Sequence, residues 1–132
     1  MGTRLFMTLS SVFLALLGVL LTFAPQEILS ALALPLAPLM VLILQLGGAL
    51  YLGSAFTNWT ARGAIIGGIY ARPLSLGNLV HFVSGTLTIG KVTWGIGFQP
   101  ALVALLFGYA VFAAGFAYLV FGKGAACVTT PR

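Results

Sequence analysis

The chain has 132 residues, 61% of them hydrophobic and 5% charged, with six Lys/Arg, one acidic residue, one His and a formal net charge of +5. A soluble domain carries about 25% charged residues, so a chain this apolar has too little polarity to face water, and its solvent is read as lipid. The length excludes a second domain, and the basic residues stand singly between apolar runs, where they orient a membrane protein and do not build a nucleic-acid face.

The first apolar run covers residues 5–23, after Arg4. It is longer than the ~7–15-residue core of a signal peptide, and a cut after Ala24 would put Pro25 beside the scissile bond, so it is read as an uncleaved span. Phe6 stands where a myristoylation signal wants Ser or Thr. Ser11, Ala15, Gly18 and Thr22 recur at four, three and four, a small-residue face suited to close helix packing. Pro25 follows and cannot continue the helix. Glu27 falls at the outer end. Residues 28–35 are too apolar for an exposed linker and too short to cross, so they are expected to lie along the outer interface.

The second span covers residues 39–58, with Pro38 where it begins, a position at which proline loses no intrahelical hydrogen bond. Gly47, Tyr51, Ser54 and Asn58 share one of its faces. Asn58-Trp59-Thr60 matches a glycosylation sequon, but it lies against the membrane on the side read as cytoplasmic and is expected to be unmodified. Residues 64–71, "AIIGGIYA", read as an interfacial turn, with a re-entrant dip or an early start to the next span as alternatives. Irregular backbone at depth needs protein or water cover, which favours the interfacial reading.

The third span covers residues 73–91, from Pro73 to Lys91, and carries Asn78, His81, Gly85 and Thr88 on one face. Counting about 1.5 Å of rise per residue from the inner ends brings Tyr51 level with His81 and Ser54 level with Asn78. The expected arrangement is a ladder between spans two and three: a polar seam that glues two helices, or a binding cavity or proton route open to the cytoplasm, with stripes that do not face each other as the remaining alternative. His81 is the one histidine and an intramembrane ionisable group, which makes it a functional-site hypothesis. It reads first as a hydrogen-bonded neutral imidazole, with axial ligation of a haem or pigment as an alternative. No second His or haem-attachment motif accompanies it, and the cofactor stays unknown. Lys91 shares the outer side with Glu27. They form an interfacial ion pair worth about 1 kcal/mol or less, or each points into the headgroups, the preferred reading.

The fourth span covers residues 100–121 and opens with Pro100. Ala101, Gly108, Gly115 and Gly122 recur seven apart, a seam for left-handed crossing against the same chain or another subunit. Cys127, the one cysteine, lies beyond this span, where it can form no internal disulfide and is followed by too many residues for a prenylation box.

The reading is therefore an all-α integral membrane protein, an antiparallel four-helix bundle in one domain. Arg4, Arg62, Arg72, Lys123 and Arg132 share one side and only Lys91 the other, which puts both termini in the cytoplasm. Trp59 and Trp94 sit near opposite interfaces. The sequence shows no nucleophile–base pair, paired carboxylates, metal cluster or nucleotide loop, so an enzyme is not expected. The expected function is an accessory or scaffolding subunit whose partners are the bilayer and other membrane subunits or a second copy. A small transporter or channel along Tyr51, Ser54, Asn58, Asn78 and His81 is the alternative.

The stretches "LGGALYLGSAFTNWTARG" and "ARPLSLGNLVHF" give a Gly-rich second span ending in Asn-Trp and Arg, then Arg-Pro and Gly-Asn before the third. In this the chain resembles the small bacterial four-span membrane families that include the DoxX-like group. The resemblance covers most of the chain in layout and few residues in detail. It implies four helices in a bacterial inner membrane and fixes no chemistry.

Overall fold

A computed structural model describes residues 2–63 and 71–122. The described residues are helical and contain no strand. The helices are α1 (Gly2–Phe23), α2 (Pro25–Ala31), α3 (Pro38–Ala61), α4 (Ala71–Ile96) and α5 (Pro100–Phe121). Three of them, α1, α3 and α5, are long and apolar enough to cross a membrane. At 26 residues α4 is the longest, but Asn78, His81, Ser84, Thr86, Thr88, Lys91 and Thr93 hold its hydropathy below that of the other three.

Proline sets most of the boundaries. Pro38 and Pro100 occupy the first turn of α3 and α5, each after a residue in extended backbone, Ala37 and Gln99. Pro25 both ends α1 and begins α2, because a ring that cannot donate to the preceding turn has no donor to lose in a first turn. Part of the connector expected along the interface is therefore helical. After Ala31 the chain turns through Leu32 and Ala33, the latter at φ 53°, and the N–H of Leu34 donates to Leu29 O at 2.9 Å. Pro73 lies inside the first turn of α4, which starts two residues earlier, at Ala71. The far end of α4 also runs past Lys91 to Ile96, where Gly97 takes a φ of +97° open mainly to glycine. Residues 64–70, most of the "AIIGGIYA" connector, lie outside the described residues, as do Lys123, Cys127 and Arg132.

The chain divides into two compact units, Met1–Gly63 and Ala64–Arg132. In the first, α1 packs along α3, and α2 caps the pair with Pro25 and Leu29 buried. The contacts run in opposite senses along the two helices: Ser10 meets Asn58, Ser11 meets Ala55, and Gly18 meets Gly48, so α1 and α3 are antiparallel. The closest approach is at Gly18 and Gly48. A Cβ on Gly48 would stand 2.8 Å from Thr22 N and 2.9 Å from Gly18 O, and one on Gly18 would stand 2.9 Å from Leu52 N. These obstacles are backbone, so the two helices touch this closely because neither residue has a side chain. Ser11, Gly18 and Thr22 of the small-residue face on α1 all meet α3 in this way.

In the second unit α4 packs on α5, again antiparallel, through an aromatic cluster. Phe82 is fully buried. Its ring centroid lies 5.3 Å from Tyr109, 5.1 Å from Phe112 and 5.6 Å from Phe116, edge-on to the first and stacked on the last. Gly85 lies directly against the Tyr109 ring, which occupies the space a Cβ would take.

Candidate functional site

One polar residue of α3, Asn58, and one of α4, His81, meet a side chain on the helix packed against each within its own unit. Asn58, at the end of α3, has no exposed surface. Its amide donates to Ser10 Oγ at 3.3 Å, and Ser10 Oγ in turn donates to Met7 O at 2.9 Å. One turn deeper, Ser11 Oγ donates to Ala55 O at 2.7 Å. This places a hydrogen-bonded group of two hydroxyls and one amide, all three buried, where α1 meets α3. The sequon asparagine is sealed within it and offers no surface to a glycan. Tyr51 and Ser54 lie half-buried above it on α3.

In the second unit the Tyr109 hydroxyl lies 3.4 Å from His81 Nε2, the direction of donation being set by the His tautomer. Tyr109 is 1% exposed. The His81 ring stands edge-on to Phe82, with centroids 5.1 Å apart, and tilted against Tyr109 at 5.7 Å. A macrocycle ligated through Nε2 would have to displace the Tyr109 hydroxyl. The Asn78 amide donates to Leu74 O at 3.0 Å one turn back. Thr86 and Thr93 donate to Phe82 O and Ile89 O at 2.7 and 2.8 Å. Each of these donors is satisfied inside its own helix, as threonine hydroxyls in apolar helices commonly are.

Of the expected stripe, then, Asn58 is joined to α1 and His81 to α5; Tyr51, Ser54 and Asn58 belong to the first unit, Asn78 and His81 to the second. Glu27 and Lys91 are both exposed and belong to different units. Gly108 and Gly115 are half-buried beside the face that meets α4. That face is made by Tyr109, Phe112 and Phe116, while Gly122 ends α5 with its N–H on Tyr118 O at 2.7 Å. Ser10 and Tyr109 are the two partners the sequence reading passed over. Each stood beside a residue it did single out, Ser11 and Gly108.

At the open end of α3, Arg62 forms the helix cap, and its guanidinium carbon sits 3.5 Å from the centre of the Trp59 ring. Among the described residues Arg62 Nη1 is shut from solvent and meets no acceptor. No three of the described His, Cys, Asp or Glu residues come together as a metal-ion group.

Comparisons of the chain with family models, with curated proteins and with solved structures found no match.

Proposed function

We propose that the chain is a four-span integral membrane protein of the cell membrane, with both termini in the cytoplasm, that works as an accessory or scaffolding subunit. The observation that carries this reading is how each helix pair disposes of its groups. Ser10, Ser11, Asn58, His81 and Tyr109 make contacts within a pair, while Leu, Val, Ile and Phe side chains cover much of the outside, among them Leu50 at 74%, Leu87 at 70% and Phe107 at 71% exposed. Such a surface suits lipid and the apolar flanks of other membrane helices, where association is driven by shape and not by reactive groups. The extra polarity of α4 is compatible with spanning, because Asn78, Thr86 and Thr93 donate to carbonyls within the helix. The layout resembling the DoxX-like group supports four spans as well.

The test is purification of the full chain in mild detergent from its native membrane. The expected result is a larger assembly of fixed composition. A lone chain that conducts a solute into liposomes, with the flux abolished by His81→Ala or Asn78→Ala, would replace this reading with a small transporter.

A further inference from the structure

We infer that Arg62, Trp59 and Arg4 form a site for the anionic phosphodiester headgroup of a membrane lipid at the cytoplasmic end of the α1/α3 pair. The inference rests on the membrane reading above and adds a ligand class to it. Three observations meet at this end.

The first is the unmet donor. Arg62 Nη1 is sealed from water without an acceptor, although the side chain as a whole is half-buried and reachable from outside. A buried guanidinium nitrogen with no acceptor is unfavourable, and a phosphodiester oxygen docking on the half-buried guanidinium would supply the missing acceptor. The second is preorganisation. The guanidinium carbon sits over the Trp59 ring, 3.5 Å from its centre, a contact that restrains the side chain whose N–H fork can bind two phosphate oxygens at once. Trp59 is itself 44% exposed, and an indole with one open edge sits at headgroup level in a bilayer.

The third is register. Ser11 and Ala55 face each other across the pair. Arg4 is seven residues back from Ser11 and Arg62 is seven residues on from Ala55. Seven residues are close to two helical turns, so the two arginines return to the same end and nearly the same face. Arg4 is exposed there, and supplies a second cation for the same anion. The described carboxylate of this unit, Glu27, belongs to α2 at the opposite end, so nothing acidic competes. Juxtamembrane cations of this kind draw anionic lipid, and the stacked, unmet fork distinguishes this site from a diffuse basic surface.

The test is native mass spectrometry of the full chain released from nanodiscs of equal phosphatidylglycerol and phosphatidylcholine. The wild-type chain is expected to retain phosphatidylglycerol over phosphatidylcholine about tenfold, the effect of one charge-assisted pair. Arg62→Gln is expected to remove the preference and Arg4→Gln to reduce it. Arg62→Lys, which keeps the charge and loses the fork, is expected to lose most of it and serves if the glutamine variant fails to fold. An unchanged preference in either Arg62 variant overturns the site, as does equal retention of both lipids by the wild type. Displacement of the lipid by inorganic phosphate at millimolar concentration overturns the lipid assignment in favour of a free anion. Failure of the chain to enter nanodiscs overturns the membrane reading itself, and so is distinct from these outcomes.

Discussion

Asn58 shows what a single amide does in an apolar setting. Its side chain is fully buried and joins α3 to α1 through Ser10. Interhelical hydrogen bonds in membranes average about 0.6 kcal/mol and reach ~2, and an alanine there also leaves a cavity. Asn58→Ala is expected to lower unfolding stability by about 1–2 kcal/mol. A double-mutant cycle with Ser10→Ala, read in an SDS titration, is expected to show coupling of about 0.6 kcal/mol; additive effects would mean the pair does not interact. Gly48 acts through absence. Gly48→Ala drives a methyl into the backbone of α1 and is expected to cost about 1–3 kcal/mol. Gly53→Ala, on the same helix with nothing within 4 Å of its Cβ position, should stay within about 0.5 kcal/mol of wild type. Equal effects at the two glycines would argue against the close crossing.

Among the elements, α4 stands apart. Its polar residues raise the cost of entering hydrocarbon alone, and the α5 face offers an acceptor or donor for His81 and an aromatic bed for Phe82. In a translocon insertion assay α4 alone is therefore expected to insert less fully than α1, α3 or α5, and to gain when α5 follows it. Full insertion of isolated α4 would remove this dependence. The helices themselves were legible because prolines and apolar run lengths are local signals: Pro38 and Pro100 start α3 and α5 where expected. The end of α4 was not, since Lys91 resembles a terminus by its charge, yet a lysine can reach an interface along its stem while the helix continues to Ile96. Partner choice was less legible still. Helix α5 is apolar nearly all round, so its sequence marks no preferred face, and on α3 a stripe such as Tyr51, Ser54 and Asn58 names a face without naming what it meets. Depth counting from the inner ends marked by Pro73 and Phe121 puts His81 at roughly 12 Å and Tyr109 at roughly 18 Å, a mismatch that hides the pair; the start of α4 at Ala71 is what brings the two nearer in level.

For the whole molecule, orientation is the property that the sequence addresses most directly and that the helices alone leave open. In the proposed topology Arg4, Arg62, Arg72, Lys123 and Arg132 share the cytoplasmic side, against Lys91 on the other. A reporter fused after Arg132 is expected to be active only as a cytoplasmic fusion, and cysteines introduced at Gln26 and Gln99 are expected to react with an impermeant thiol reagent from outside. Labelling of both from the cytoplasmic face would invert the arrangement.

The pairing of α1 with α3 has a consequence for how the protein is made. The partner that Ser11 needs lies 44 residues further along the chain, and the one for Ser10 lies 48 residues on. At roughly 5–20 residues per second of translation, the first helix waits about 2–10 s beside the ribosome before its mate emerges. During that interval its two hydroxyls and bare Gly18 groove must be shielded by the insertion machinery or by local back-bonding. Nascent chains stalled with residue 58 still inside the exit tunnel should therefore crosslink from Gly18 to that machinery, and longer chains should not.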